Sequence, residues 1–298
     1  MKVLSCCSGF IYFVLLFVFV MLSGRSVKLN AFRLVHIIPS QGVERYAVAS
    51  LGDDIFVACE SGQCIEVYDA RTFVLQRHLR VRGLASASYG LAACVHNNCL
   101  YASNYQNCII HRVDLSHSSA VKNWSVARKP AGLSVNKAHN VVVTCYGADK
   151  LQEYTTNGVP VREINLSQAD VTHPWHAIQL STGDYVISQF KSPGVVSVVR
   201  VDGQVVRTYD FSQAPNVGPM KNPGSLAVTK NGAILVADDD NHRILSLSSS
   251  LSYYAQVLPV SDGIQYPCSL CLDESRDRLY VSEHGKSRLL VFKSTPAE

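Results

Sequence analysis

The apolar and polar positions near the C-terminal end of the chain follow the pattern of short β-strands joined by tight turns. Ala233 to Ala237 and Arg243 to Leu247 are mainly apolar, and a polar turn separates them. A third apolar segment, Asn222 to Val228, precedes them across the turn Lys230-Asn231-Gly232. Runs of this kind, bounded by Gly, Asn and Asp, predict a meander of antiparallel strands.

The same pattern recurs along the chain with an almost constant period. Four copies of the first strand open with a proline, and these prolines lie 44 to 49 residues apart: Pro130, Pro174, Pro223 and Pro267. Two earlier copies lack the proline but keep the spacing, and they begin near 44 and 88. Six copies at this period predict an all-β fold, a six-bladed β-propeller of four-stranded antiparallel blades.

The ends of the chain predict how the ring closes. The first five units each finish with a fourth apolar strand, whereas the sixth lacks one because the chain stops soon after Leu289 to Phe292. A strand of the right type, at about 32–38, is left over at the front. We expect this N-terminal strand to join the last blade, because that pairing covers two strand edges that would otherwise invite aggregation.

The best-preserved copy of the repeat resembles a known family. Asn241-His242-Arg243-Ile244 is similar to the Asn-His-Leu triplet that gives NHL-repeat propellers their name, and Ser287-Arg288-Leu289 keeps part of it. The resemblance spans about residues 30 to 293 and implies a six-bladed propeller. It does not imply one activity, because binding surfaces, hydrolases and lyases have all been built on this frame.

Length and charge limit the classes of function. A closed ring makes residues 27–298 a single domain, with 47% hydrophobic and 17% charged residues in the 298-residue chain. Its 27 basic and 23 acidic residues leave a net charge of +4. Nucleic acid is therefore not an expected partner, since a nucleic-acid binder needs a strongly basic face.

The first 26 residues do not fit the propeller. Phe10 to Leu22 is a 13-residue apolar run behind one early lysine, which is typical of a signal-peptide core. This interpretation predicts a secreted or extracellular protein that starts near Val27. The alternative counts residues 3–22 as one apolar span and makes 1–26 a signal anchor, which would be the chain's contact with a membrane.

Sequons and cysteines agree with a secretory route. Asn123 and Asn165 begin Asn-x-Ser triplets at the ends of predicted outer strands, so both are glycosylation candidates. Two pairs of cysteines flank short turns and would face each other if the hairpins are in simple register: Cys59 with Cys64, and Cys94 with Cys99. We predict disulfides at both pairs; the alternative is that they are small buried apolar side chains.

The loops at one end of the predicted ring bring together the candidate binding residues. In this architecture the loops entering the innermost strands and those between second and third strands share one face around the channel. The predicted ligand-binding residues there are Trp175, His176, Phe190, Asp239 and His284. Aromatic side chains anchor a contact while polar neighbours orient it, so we expect a protein, peptide or glycan ligand.

Two other functions stay open. Imidazoles and carboxylates around the funnel, including Asp238 to Asp240, also suit a metal-assisted hydrolase or lyase. No catalytic residue is assigned and no cofactor is predicted, but a divalent metal is the alternative. The related peptidyl-hydroxyglycine lyase propellers hold zinc with several histidines, and here Gly132, Ser225 and Ser269 stand where further histidines would be needed. The second alternative is a module like that of tripartite-motif proteins, recognising protein or RNA without a RING of its own.

Overall fold

The described part of the chain forms six four-stranded antiparallel sheets. The computed structural model describes residues 31–39, 44–59, 64–84, 88–116, 121–167, 170–209, 218–251, 254–258 and 263–295. Within these ranges the strands are ordered from the inside outward as the sequence predicts, and each sheet is one blade of a six-bladed propeller. The predicted leader, 1–26, lies outside the described residues.

The first three blades follow the chain without interruption. Blade one contains β2 (Arg45–Leu51), β3 (Asp54–Cys59), β4 (Cys64–Asp69) and β5 (Leu75–Arg80). Blade two contains β6 (Leu91–Cys94), β7 (Cys99–Asn104), β8 (Ile109–Asp114) and β9 (Val121–Ser125). Blade three contains β10 (Pro130–Val135), β11 (Val141–Cys145), β12 (Lys150–Tyr154) and β13 (Pro160–Asn165).

The last three blades include the one that closes the ring. Blade four contains β14 (Pro174–Gln179), β15 (Tyr185–Gln189), β16 (Val195–Val199) and β17 (Val205–Thr208). Blade five contains β18 (Pro223–Val228), β19 (Ile234–Asp238), β20 (Arg243–Leu247) and β21 (Tyr254–Leu258). Blade six contains β22 (Pro267–Asp273), β23 (Arg278–Glu283), β24 (Arg288–Thr295) and the N-terminal β1 (Ala31–Pro39).

The closing strand pairs as the sequence predicts. β1 runs antiparallel to β24 from Ala31 opposite Thr295 to Pro39 opposite Arg288, with one register shift between Leu34 and His36. The first and last parts of the chain thereby share one sheet. Opening the ring would expose both strand edges and the apolar faces beside them.

The apolar core lies between blades. One cluster of buried side chains fills each junction of neighbouring blades; Phe56 and Leu100 share the junction of blades one and two, and Ile55 and Tyr280 share that of blades one and six. The second strand of each blade is covered on both faces, and its sequence is a mainly apolar run for that reason.

A buried arginine fixes the link between the closing strand and blade one. The Arg45 side chain is fully buried, and its Nη1 donates to the Ile38 carbonyl oxygen at 2.7 Å. Its Nη2 donates to Glu66 Oε2 at 3.1 Å and to the Tyr68 hydroxyl, which itself donates to Glu66. A guanidinium suits this position because its planar fork offers several donors in fixed directions.

No helix in the described ranges is long and apolar enough to cross a membrane. The alternatives of a cleaved signal peptide and an uncleaved anchor concern residues outside those ranges.

Replacing Arg45 tests whether this ion pair holds the ring closed. We expect Arg45→Met to lower the free energy of unfolding by about 3 kcal/mol, because it leaves the Ile38 and Pro39 carbonyl groups without their donor and the Glu66 carboxylate without its cationic partner. Urea unfolding followed by circular dichroism measures the loss.

Arg71→Met is the matched control for Arg45→Met. The Arg71 side chain is 71% exposed and pairs with Asp53 at the surface, so its loss should cost under about 1 kcal/mol. Equal unfolding midpoints for the two variants would contradict the proposed role of Arg45.

Candidate functional site

The innermost strands surround a central cavity of about 300 Å³. Residues of β2, β6, β10, β14, β18 and β22 line it. In each blade the innermost strand begins where the antiparallel second strand ends, so the loops at these two points surround the same end of the cavity. We call this end the channel mouth.

The polar segment from Asp238 to Arg243 holds one of these loops in place. Asp238 ends β19; its Oδ1 accepts the Lys221 backbone N–H at 2.7 Å, and its Oδ2 accepts from Arg243 Nε at 2.6 Å and Asn241 Nδ2 at 2.9 Å. Arg243 then donates to the Pro219 carbonyl oxygen at 3.4 Å. The carboxylate and guanidinium thus hold the loop that enters blade five.

Other blades make the same tie with different side chains. Glu283 ends β23, accepts the Gln265 backbone N–H and pairs with Arg288. In blade four Gln189 accepts the Thr172 N–H at 3.1 Å. Blades four, five and six therefore share a polar side chain at the end of the second strand, and in blades five and six this side chain is a carboxylate paired with an arginine.

The residue before the third strand links one blade to the next. His242 has a left-handed backbone (φ 53°), and its Nδ1 accepts the Tyr266 N–H of blade six at 3.1 Å. Asp149 takes the same place in blade three, where its Oδ1 accepts the His173 N–H at 3.1 Å. The histidine that carries the family resemblance therefore has a structural partner.

Irregular strand starts direct side chains to the channel mouth. In blade four the pairing jumps from Pro174 opposite Gln189 to His176 opposite Ser188, which leaves Trp175 unpaired on a bulge. Tyr46 in blade one and Cys268 in blade six lie on equivalent bulges. An extra residue of this kind turns its side chain away from the sheet.

Six aromatic side chains form one contiguous group, which we call the mouth cluster: Tyr46, Tyr89, Tyr105, Tyr146, Trp175 and Phe190. The Tyr89 ring lies 5.0 Å from that of Tyr46, 5.1 Å from Tyr105 and 5.4 Å from Trp175, measured between centroids. Trp175 is also stacked on Phe190 at 4.6 Å. The cluster spans blades one to four and is the largest feature of the mouth in the described residues.

His176 has a structural role below the mouth cluster. It is buried in the cavity wall, its Nε2 lies 3.0 Å from the Leu133 carbonyl oxygen, and its Nδ1 accepts the Leu226 N–H at 2.9 Å. The ring is a neutral bridge between the innermost strands of blades three and five. Burial lowers the pKa of His176 to about 4, so the side chain offers neither a charge nor a vacant nitrogen near neutral pH.

Asp239 is a carboxyl group at the channel mouth that takes no part in these loop contacts. It is 8% exposed, and in the described part of the chain its Oδ1 has no hydrogen-bond partner. Burial and the neighbouring carboxylates of Asp240 and Asp238 raise the pKa of Asp239 to about 7. An unpartnered buried carboxyl costs free energy of folding, which makes a structural role a poor explanation for it.

The structure places the five predicted binding residues in different settings. Trp175 and Phe190 lie together in the mouth cluster, and His284 is exposed beside it, 3.7 Å from Glu44 and 6.0 Å from the Tyr46 ring. Asp239 is at the mouth near Cys268, while His176 is in the cavity wall.

Four members of the mouth cluster are not among the predicted binding residues: Tyr46, Tyr89, Tyr105 and Tyr146. Tyr46 and Tyr89 stand just before or within the first strand of a blade that lacks the marking proline, so the proline pattern does not show that they are equivalent to Trp175. Aligning the six copies on strand starts, rather than on proline, would have found them.

The remaining predictions concern a metal site, glycosylation and disulfide bonds. Among the described residues, no three His, Cys, Asp or Glu side chains converge as a metal site would require. The side chains of Asn123 and Asn165 are exposed on β9 and β13, and glycosylation there stays a prediction.

The cysteine pairs have the register that the predicted bridges need. Cys94 lies directly opposite Cys99, and the pairing of Ala58 with Ile65 puts Cys59 and Cys64 one step further along the same ladder. All eight described cysteines are free thiols in this structure. Bridge formation therefore stays a prediction.

Comparison with protein families agrees with this geometry. The NHL-repeat family model matches residues 220–245, the segment that holds the tie of Asp238 with Arg243. The chain is a six-bladed propeller with an NHL repeat in its fifth blade. No curated protein matches its sequence.

Solved structures share the NHL propeller's fold at low sequence identity. Hydrazine synthase from Kuenenia stuttgartiensis is 16% identical over 93% of this chain and 100% of its own, with a TM-score of 0.63. Virginiamycin B lyase from Staphylococcus aureus is 9% identical over 88% of this chain and 99% of its own, with a TM-score of 0.64. A streptogramin B lyase is 12% identical over 91% and 100%, with a TM-score of 0.60. At such identities the likeness concerns the fold alone.

The buried state of His176 predicts a pH-dependent contribution to stability. The unfolded chain takes up a proton on this histidine near pH 6.5, whereas the folded protein resists until about pH 4. The unfolded state therefore binds more protons between these values, and the contribution is lost as pH falls from 6.5 to 4, by about 3 kcal/mol.

Comparison with His176→Gln isolates this effect, because other titrating groups are common to both proteins. The stability advantage of the wild type, from urea unfolding at pH 7, 5.5 and 4, should shrink by that amount on acidification. An advantage that stays constant over this range would show that His176 is not held neutral by burial.

Proposed function

We propose that this NHL propeller is a non-enzymatic binding protein of the secretory pathway, which takes a protein, peptide or glycan ligand at the channel mouth. The observation that carries the proposal is the mouth cluster. Six aromatic side chains in mutual contact, five of them half-buried, leave a broad apolar surface at the open end of a cavity. Such aromatic groups dominate the energy of binding sites.

The enzyme alternative has less support from the same residues. Metal-assisted chemistry needs several convergent ligands, and the described residues offer no group of three. Both nitrogens of His176 are used by backbone groups, and Asp238 and Glu283 are committed to arginines. The polar groups that looked catalytic in the sequence are engaged in holding loops.

The charges around the mouth favour a ligand other than RNA. Lys129 is present on this face, but so are Glu44, Asp239, Asp240 and Glu283. A face of mixed sign gives no continuous track for a phosphate backbone. This argues for a compact ligand group that meets aromatic and carboxyl side chains together.

The secretory part of the proposal is supported by the leader and by surface chemistry. The apolar run of Phe10 to Leu22 has the length of a signal-peptide core. The exposed sequons at Asn123 and Asn165 and the opposed thiols of Cys94 and Cys99 would all be used in an oxidising, glycosylating compartment.

Substitution at the centre of the mouth cluster tests the binding function. The full chain, secreted from cultured eukaryotic cells, is screened against a displayed random-peptide library and a glycan array. Ligands selected by the wild type should bind Trp175→Ala at least about tenfold more weakly, because the variant loses the ring that contacts Phe190, Tyr89 and Tyr146.

The control for Trp175→Ala is His96→Ala, an exposed residue of the turn between β6 and β7 at the opposite end of the ring. It should bind the selected ligands as the wild type does. Full binding by Trp175→Ala, or an equal loss in both variants, would refute the assignment of the mouth. Mass spectrometry of the same secreted protein tests the compartment: an intact Met1 end without sugar would contradict it.

A further inference from the structure

The rings of the mouth cluster are packed at different angles and do not form a flat platform. Trp175 is stacked on Phe190 with 28° between the ring planes, while Tyr89 meets it at 60° and Tyr146 at 82°. Each of these neighbours occupies part of the indole surface. A sugar ring needs an open face for stacking, whereas several differently oriented faces around one space are the arrangement that receives organic cations.

The cluster already receives one cation of the protein itself. Lys129 Nζ lies 5.5 Å from the Tyr105 ring centroid, within the range of a cation–π contact. Tyr105 in turn packs edge-on against Tyr89 at 5.1 Å. Lys129 therefore supplies an ammonium group to the side of the mouth that blades two and three form.

The opposite side of the mouth carries a carboxyl group that lacks such a partner. Asp239 begins the turn after β19, more than nine-tenths buried, with Oδ1 unpartnered among the described residues. Its neighbours are otherwise engaged: Asp238 holds Arg243 and the Lys221 N–H, and Asp240 accepts from Asn222 Nδ2 at 2.7 Å. Of the three carboxyl groups of this turn, Asp239 is the one with a buried oxygen that has no hydrogen bond among the described residues.

Gly224 and Cys268 connect Asp239 with the mouth cluster. A side-chain carbon at Gly224 would lie 3.9 Å from Trp175 Nε1 and 3.5 Å from the Cys268 carbonyl oxygen. Cys268 lines the cavity. Burial raises the pKa of its thiol, and the charge of Asp239 adds to this effect. Residue 224 has no side chain at this point, and the preceding Pro223 pairs with Asp238, so the backbone of blade five runs from beside the indole edge to the Asp239 turn.

We propose that the channel mouth binds a ligand through an alkylammonium group, with the aromatic faces around Trp175 enclosing the cation and the Asp239 carboxylate pairing with it. The inference rests on the proposed binding function and narrows its ligand class. A lysine side chain of a polypeptide and a free small amine present the same chemistry to this site.

The charge state of Asp239 gives the site a pH dependence. Asp238 and Asp240 face it from its own turn, Cys268 faces it from β22, and Lys221 belongs to the loop packed beside that turn. Burial and the two carboxylates favour the protonated form of Asp239, whose pKa is about 7. A bound cation favours the ionised form, so affinity for a cation should rise with pH through this region.

The test uses choline, whose charge does not change with pH, and its neutral isostere 3,3-dimethylbutanol. The chain contains two tryptophans, so a Trp124→Phe background leaves Trp175 as the single fluorescent indole. We expect choline to change Trp175 fluorescence saturably, to bind about tenfold more tightly at pH 8 than at pH 5.5, and to exceed the isostere by a similar factor.

Two variants test whether the Asp239 carboxylate, and not another charge of the same turn, binds the cation. Asp239→Asn keeps the shape of the side chain and should reduce choline affinity at pH 8 about tenfold and abolish its pH dependence. Asp240→Asn is the matched control, an exposed carboxylate of the same turn. It should keep the choline affinity at pH 8 and still show a pH dependence, with its midpoint at lower pH because one of the two carboxylates that raise the pKa of Asp239 is gone. Thermal melts confirm that each variant is folded, and the pH series on unaltered Asp239 tests the proposal independently of them.

The outcomes distinguish this inference from the proposed function. Absence of choline binding, equal binding of choline and its isostere, or unchanged binding by Asp239→Asn would overturn the cation site. Library ligands that still require Trp175 would then leave the binding function intact. A peptide acetyl-Gly-Lys-Gly-amide that binds more tightly than choline, and loses binding when its lysine is acetylated, would identify a polypeptide as the source of the cation; the reverse order would identify a small amine.

Discussion

The whole channel mouth depends on one interaction, the tie between the residue that ends the second strand of a blade and the loop that enters the same blade. In blade five Asp238 accepts the Lys221 N–H and pairs with Arg243, and in blade six Glu283 and Arg288 do the same for the Gln265 N–H. The loop backbone here leaves the sheet and would otherwise present buried donors without acceptors. The tie satisfies them and fixes where the next strand begins, which in turn fixes where the bulged side chains point.

A consequence is that most of the polar residues at the mouth have their hydrogen bonds assigned before any ligand arrives. His242 is bound to the Tyr266 N–H of the next blade, and His176 bridges strands on either side of it. Both histidines act as hydrogen-bond acceptors for backbone N–H groups, and these bonds help to align neighbouring blades. What the ties leave unassigned is a set of aromatic faces and the carboxyl group of Asp239, and a ligand site is best sought in these residues.

The fold was predictable from the sequence because its information is local and repeated. Strands of four to nine residues alternate with turns at a nearly constant period, and the unpaired strand near Phe32 could complete the last blade beside β24. The site was less predictable because it depends on register. Trp175 and Phe190 follow from their place in the repeat, but the burial of His176 between two backbone partners comes from strands 43 and 50 residues away. The isolation of Asp239 between two engaged carboxylates likewise depends on which neighbours the 3-10 turn of Asp239–Asn241 brings to each oxygen. Neither relation is encoded in spacing alone.

Within the described structure, Asp239 is the one member of its acidic run with a buried oxygen that has no hydrogen bond, and the proposed ligand site depends on this property. Carbon-13 NMR of protein labelled at the aspartate carboxyl carbons measures this directly, with Asp239→Asn to assign the resonance. We expect the Asp239 carboxyl to titrate near pH 7, where burial and its two acidic neighbours hold the pKa, and its midpoint to fall when choline is present. A midpoint near pH 4 that choline leaves unchanged would contradict both the isolation of this carboxyl group and its role in a binding site.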